Sequence, residues 1–350
     1  MLIEGGPTAV WSSMNTIDVL AHQEVSEATI LRIGSGFRAA KLLFVASEIG
    51  LFERLASGPA SLDQLATHTG IAEVRLRVLV NAMVALGLLT EDASAYQNAP
   101  VAAAYLSGQG QTDLRPALRF WNRLSYPLWT NLQEVLRAGI SERALLDPEQ
   151  QRIFSEGVQA LTWSAARTLA TRYAFDQHRR VLDLGGGTGS WLLSILQQHE
   201  HLQGTLVEQA AVAGIARQRL ASSLDGERFE VLAMDFLREP IPPAHDVVLL
   251  AHVLHGFTPA QNLELLRKVR QAVPNGARLL LVDIWVDARH TRPVLSLLQA
   301  AEFVAFVGQG DVYSEEEVHA WLGETGWRAM SRISLPEPQS AIVAEAVARS

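Results

Sequence analysis

The feature that most constrains this chain is an alternation that begins near Arg179. Apolar, strand-like runs take turns with helix-like ones: RRVLDLG then SWLLSILQQHE, GTLVEQ then AGIARQRLASSL, RFEVLAMD, HDVVLLAHVL then PAQNLELLRKVRQAV, and ARLLLVDIWV. Strands alternating with helices form a parallel sheet covered on both faces. The chain closes on helix-like EEEVHAWLGETG and two strand-like runs, WRAMSRISL and QSAIVAEAV, around a PEP turn. The second half is therefore expected to be α/β. Ligands of such sheets sit at the carboxyl ends of the strands, where strand order reverses.

The first of these strands ends in VLDLGGGTGSW, residues 181–191. A phosphate-binding P-loop needs a lysine and then Ser or Thr after its glycines. Ser190 and Trp191 stand there instead. The dinucleotide fingerprint needs Gly or Ala at its last position; counting from Gly185 or Gly187 reaches Ser190 or Leu192. The spacing that does occur is D-x-G-x-G-x-G, on Asp183, Gly185, Gly187 and Gly189. An acid at the turn repels a pyrophosphate and suits a ligand with a cationic amino-acid group. Glu208 lies 19 residues past Gly189, at the end of the next strand, where a carboxylate accepts from both ribose hydroxyls. Asp235, ending the third strand, is placed to meet the exocyclic amine of an adenine, with Met234 and Phe236 packing on the ring. Each feature alone is a tight corner or a solvated strand end. Together, on consecutive strands, they describe S-adenosylmethionine.

Residues 25–140 read as almost all helix. EATILRIGSGFRAAKLLFVASEIGLFERL carries apolar residues at three- and four-residue spacing, the pattern of a helix with a buried face. SLDQLATHTG is a helix capped by Ser61 and stopped at Gly70, and AEVRLRVLVNAMVALGLL is another. LLTEDASAYQNAP forms a short hairpin. This is the winged-helix order. A DNA reader needs a cationic face, yet from Ser61 to Pro100 only Arg75 and Arg77 stand against Asp63, Glu73, Glu91 and Asp92, and the whole chain carries a net charge of −8. No nucleic-acid partner is expected; the region reads as a packing or dimerisation module. No run of eighteen apolar residues predicts a membrane span, and the N-terminus lacks the basic start and apolar core of a signal peptide. With 0 cysteines, disulfides and thiolate metal sites are excluded. A cytoplasmic location fits.

These motifs resemble the S-adenosylmethionine-dependent small-molecule O-methyltransferases of the caffeate and acetylserotonin type. The resemblance covers residues 25–345 and rests on the winged-helix region, VLDLGGGTG, the Glu208 and Asp235 positions, VLHGF and LLLVDIW. It implies a Rossmann-like, seven-stranded methyltransferase domain whose last strand runs antiparallel, preceded by a mainly helical winged-helix dimerisation domain through which a homodimer forms. The implied organisation is a poorly ordered N-terminus over 1–20, a dimerisation domain over 21–110, a helical connector lining the substrate pocket over 111–175, and an S-adenosylmethionine-binding domain over 176–350. FSEGVQALT, residues 154–162, matches a family helix lying over the cofactor, which places Thr162 near the cofactor's carboxylate.

Methyl transfer from a sulfonium is an in-line displacement that mainly demands alignment. A hydroxyl acceptor must also lose its proton, a task suited to a histidine that is neutral near pH 7. HDVVLLAHVLHGF ends with His252 and His255. By the resemblance, His255 is the general base and Asp283, in LLLVDIW, the acid that orients it. A second family acid falls on Val312, beside Asp311, so the second orienter is missing. The motif also reads His255-Gly256-Phe257 in place of His-Asp-Trp, and Ala251 replaces a polar cofactor contact. Phe120, Trp121, Tyr126, Trp129, Trp163, Phe257 and Phe303 are expected around the acceptor, with His252 and Glu302 as polar contacts. Such a wall suits a flat, apolar molecule such as an aromatic secondary metabolite, although for any one of these aromatics core packing is the simpler role. Trp191 is expected to pack its helix against the sheet. Two alternatives stay open. His252 and His255 could hold a metal with His290 or Glu302, for methylation of an enolisable carbon beside a keto acid. Alternatively, S-adenosylmethionine is bound without its methyl being transferred.

Overall fold

The computed structural model describes residues 27–138, 146–307 and 310–348. The expectation for residues 1–20 lies outside them. The N-terminal region runs α1 (Glu27–Glu48), α2 (Leu51–Ala56), β1 (Ala60–Ser61), α3 (Leu62–Thr69), α4 (Glu73–Ala85), β2 (Leu89–Asp92), β3 (Ala95–Asn98) and α5 (Pro100–Tyr105). The long first helix expected from the sequence is broken at Gly50, whose φ of 72° no right-handed helix continues through. Ser61 caps α3 in a reciprocal box with Gln64, and Gly70 ends it at φ 69°. β2 and β3 pair antiparallel around Ala93-Ser94, and β1 joins as a third strand. The buried face expected along α1 is only half there. Its buried residues are Phe44, Ala46 and Ser47, whereas Ile30, Leu31, Ile33 and Phe37 are all more than half exposed.

The connector comprises α6 (Arg115–Phe120), a π turn at Trp121–Ser125, α7 (Tyr126–Trp129), α8 (Leu132–Ala138) and α9 (Pro148–Arg172). Asp147 and Gln150 cap α9 reciprocally, with Pro148 at its first position.

The remainder is β4 (Arg180–Leu184), α10 (Ser190–Gln198), β5 (Gln203–Glu208), α11 (Ala210–Ala221), β6 (Phe229–Ala233), β7 (Val247–Ala251), α12 (Pro259–Ala272), β8 (Arg278–Ile284), α13 (Val294–Val307), α14 (Glu315–Glu324), β9 (Trp327–Ser334) and β10 (Gln339–Ala346). The seven strands lie in the order β6-β5-β4-β7-β8-β10-β9, and β10 runs antiparallel to both neighbours. Alternate side chains serve opposite faces. Val181, Leu249, Leu280 and Val282 pack under α9, α10 and α11, while Leu182, Leu250, Leu279 and Leu281 pack under α12 and α14. Each leucine sealed in this way contributes roughly 2 kcal/mol. The chain steps from β4 outward to β5 and β6, then returns to β7 on the other side of β4. The carboxyl ends of β4 and β7 therefore share the crevice at the reversal. Among the described residues no helix is long and apolar enough to cross a membrane.

Candidate active site

The turn after β4 is built from left-handed glycines: φ is 75° at Gly185, 55° at Gly187 and 81° at Gly189. Only glycine adopts these angles without strain. A Cβ added at Gly187 would meet nothing within 4 Å, so the backbone there is open to a ligand. Gly189 is the N-cap of α10 and supplies no side-chain cap, which leaves the Ser190 and Trp191 N–H groups at the start of the helix available. Glu208 closes the other side. Its Oε2 accepts from the Gly187 N–H at 2.9 Å and its Oε1 from the Gln209 N–H at 2.7 Å. Asp235 sits beyond the end of β6 rather than in it, accepts from the Leu237 N–H at 3.0 Å and faces Arg238 at 3.5 Å. Phe236 is buried, meets Phe257 edge to face at 6.3 Å, and lies 3.5 Å from where a Cβ on Gly185 would stand. Met234 packs half-buried against the same cluster.

Asp183 does not line the crevice. It is 0 % exposed, and a Cβ on Gly186 would stand 2.6 Å from its Oδ2, so the carboxyl lies directly beneath the turn. Neither oxygen makes a well-formed hydrogen bond, and the Leu192 amide is the polar group near enough to be felt. Burial pushes the carboxyl up, the Leu192 amide draws it down and the Glu208 charge adds to the rise, for a value of about 7. The direct contact with a cationic ligand group expected from the spacing is therefore replaced by support from below. Thr162 is buried on α9, and its hydroxyl donates to the Val158 carbonyl at 3.0 Å. One turn earlier, Gln159 accepts from Arg219, which also donates to Thr188 at 3.2 Å and Ser190 at 3.1 Å. Arg219 thus ties α9 to the glycine turn. Burial draws its guanidinium below the ordinary value, and no ion pair offsets this among the described residues. Nothing in AGIARQRLASSL marks this arginine off from a solvated one.

Both histidines lie past β7 rather than in it. His252 follows directly, and His255 sits in a 3₁₀ turn over Leu254–Gly256. His252 holds φ at 58°, a costly angle for a residue with a Cβ. Asp283, buried on β8, accepts from His255 Nδ1 at 2.8 Å and from the Ile284 N–H at 3.0 Å through the same oxygen. His252 Nδ1 is 3.6 Å from that oxygen. Burial alone would raise the Asp283 carboxyl, but the two imidazoles outweigh it and hold the group well below the usual carboxylate range. The Phe303 ring stacks on the His255 imidazole at 3.9 Å and 10°. Val312, where the resemblance implies a second acid, is sealed in an apolar cluster with Ile284 and Val286. The neighbouring Asp311 carboxylate is taken by the Val312 N–H at 2.8 Å.

The third ligands that the metal reading called on are engaged elsewhere. His290 bonds Glu317 at 2.9 Å, and Glu302 accepts from Ser125 at 2.8 Å and from the Trp129 indole. Donor atoms of His252, His255 and Asp283 do fall within 4.8 Å of one another. The 2.8 Å contact, however, is a hydrogen bond that already occupies His255 Nδ1. Of the expected aromatic wall, Phe303 lies on the His255 ring, whereas Phe257 packs on Phe236. Trp129 reaches α13 through Glu302. Phe120 packs with Phe154 and Phe306, and Tyr126 packs on Phe44. Trp121 lies between the N-terminal core and the Phe120 cluster. Trp163 lines a groove with Gln111, Ser194 and Gln197, between α9 and α10, rather than the surroundings of His255. Trp191 is buried in the core under α10, with its ring 6.0 Å from His252.

Residues 130–328 match the O-methyltransferase domain, and residues 31–108 match the O-methyltransferase dimerisation domain. The chain belongs to this O-methyltransferase family. It is 30% identical to 3-hydroxy-5-methyl-1-naphthoate 3-O-methyltransferase of Streptomyces sahachiroi, over 87% of this chain and 91% of that protein. It is 29% identical to acetylserotonin O-methyltransferase of Mus musculus, over 94% of this chain and 90% of that one. Human N-acetylserotonin methyltransferase in complex with SAM shares the fold, with a TM-score of 0.84 over 93% of this chain and 99% of that one at 22% identity. As a member of the family the protein is an S-adenosylmethionine-dependent methyltransferase. The open backbone at Gly187, the uncapped start of α10 and the Glu208 carboxylate are chemically suited to that cofactor.

Proposed function

We propose that this O-methyltransferase methylates a hydroxyl of a small aromatic molecule, with His255 as general base. The observation that carries the reading is the 2.8 Å bond between His255 Nδ1 and a buried, ionised Asp283. That bond keeps the proton on Nδ1 and leaves Nε2 as the acceptor, the tautomer a general base needs. S-Adenosylmethionine, when bound, supplies a methyl already activated by its sulfonium. Glu208 is suited to hold the ribose, Asp235 and Phe236 the adenine, and α9 with Thr162 to cover the amino-acid end. His255 removes the acceptor's proton, and Asp283 stabilises the imidazolium that results. Trp129 and Phe257 suit a flat acceptor, in keeping with the naphthoate named for the Streptomyces sahachiroi relative.

The working unit is proposed to be a homodimer formed through the apolar face of α1. Nucleic acid is not a proposed partner: α4, the recognition-helix position of a winged helix, turns Val74 and Val78 outward at 65% and 66% exposure.

The test is His255→Ala. Turnover of a phenol should fall by roughly 10²–10³-fold, while calorimetric affinity for S-adenosylmethionine stays within error of wild type. Full turnover in that variant overturns the base role. Glu208→Ala should instead lose cofactor affinity.

A further inference from the structure

We infer that Phe303 is a positioning residue for the base, standing in for the second carboxylate that this chain lacks. The inference rests on the reading of His255 as the base. The Asp283 bond fixes one point of the imidazole, through a single oxygen shared with the Ile284 N–H. The other oxygen, Oδ2, is buried and has no partner. Tethered through Cβ and hydrogen-bonded only at Nδ1, the ring can still tilt about the line joining those two points. Where a second acid would stop this motion, the chain has Val312, sealed in an apolar cluster with Ile284 and Val286.

Phe303 packs against that cluster and lays its ring on the imidazole face, at 3.9 Å and nearly parallel. A parallel ring at that distance blocks tilt toward it. It also attracts the imidazole most strongly once a proton has made it cationic. Two contacts hold the His255 backbone as well. The Asp311 N–H donates to its carbonyl at 3.1 Å. Gly310, at φ 109°, approaches so closely that a Cβ would stand 2.6 Å from the same oxygen and 3.4 Å from Phe303 Cβ. Phe303 is itself anchored by its neighbours on α13. Glu302 is bonded to Ser125 and Trp129, and Phe306 stacks on Phe154 at 5.3 Å. The geometry therefore turns an expected acceptor-wall residue into a support for the base, with one ring face committed to the stack.

Two acceptors separate support of the base from lining of the pocket. One is a weakly acidic phenol, which must be deprotonated on the enzyme. The other is a nitrophenol already ionised at the assay pH, which needs no base. Phe303→Leu should lower kcat about tenfold for the phenol while leaving KM for both acceptors, cofactor affinity and turnover of the nitrophenol near wild type. Phe303→Tyr, which keeps the ring, should restore most of the loss. Nitrophenol turnover also reports that the variants are folded. An equal fall with both acceptors, or a rise in KM at unchanged kcat, would make Phe303 a pocket wall and overturn the inference. His255→Ala in the same pair tests the underlying reading separately: if it leaves phenol turnover intact, the base assignment fails, whereas loss in His255→Ala without loss in Phe303→Leu sinks the positioning role alone.

Discussion

Asp183 lies beneath the turn that it was expected to serve from inside the crevice. Its neighbours Leu182 and Leu184 face α12 and α14, so strand alternation sends Asp183 to the α10 side. The D-x-G-x-G-x-G spacing was legible in the sequence, but the face of the sheet was not, because it depends on which helices cover β4. Glu208 and Asp283 were easier to place, since each sits at or near the end of a strand. Arg219 and the stacking role of Phe303 left no local signal, because their partners lie far away in sequence. The buried Asp183 carboxyl carries a pH signature. Its value of about 7 in the fold exceeds the ordinary 3.8, so the folded state binds the extra proton between those values. Stability is then fully present at low pH, falls as pH rises through that window, and stays reduced above it. Asp183→Asn removes the titration at nearly constant shape. It should melt higher than wild type, with the gap widening from pH 5 to pH 8 toward an order of 2–4 kcal/mol. A gap that is constant with pH would show that the carboxyl titrates as it does in water.

At the scale of elements, the alternating second half and the helix–turn–helix–hairpin order were legible because periodicity and caps agree. Ser61 and Gly70, for example, bound α3 in both sequence and structure. α13 escaped assignment. VLSLLQAAEFVAFV is apolar almost throughout, so it shows no polar face and no clear period. Yet this helix carries Glu302 and Phe303 to the site. The break at Gly50 was also missed, since a left-handed glycine inside an otherwise periodic run gives no pattern change. The wing of the hairpin holds an avoidable strain. Ala93 and Ser94 take φ of 46° and 67°, the angles of a type I′ turn, without the residues that favour them. Replacing the pair by Asn-Gly should raise stability by about 1 kcal/mol, read as a higher denaturant midpoint with an unchanged slope. No gain would mean that the turn relaxes in solution.

At the scale of the molecule, the apolar pattern of α1 was legible but its partner was not, because none of the described residues covers its first half. Ile30, Leu31, Ile33 and Phe37 form a contiguous apolar face on the first half of the helix, 53% to 71% exposed. A patch of that kind marks an interaction surface, and it falls within the matched dimerisation region. The second half of α1 leads toward the site. Glu48 pairs with Arg123 at 2.7 Å, Lys41 bonds Asn122 at 2.6 Å, and Phe44 packs on Tyr126. Those connector residues lie beside Ser125 and Trp129, which hold Glu302 and, through α13, Phe303 on His255. The glycine turn is tied instead to α9, through Arg219. Charging the face with Ile33→Glu and Phe37→Glu should therefore yield a monomer in sedimentation equilibrium. The monomer should keep its affinity for S-adenosylmethionine and lose turnover, because the π turn and α7 that contact α1 reach His255 through α13, whereas Glu208 is held by the glycine turn's own backbone. A variant that stays dimeric would place the interface elsewhere. A monomer with full kcat would show that α1 assembles the enzyme without supporting its chemistry.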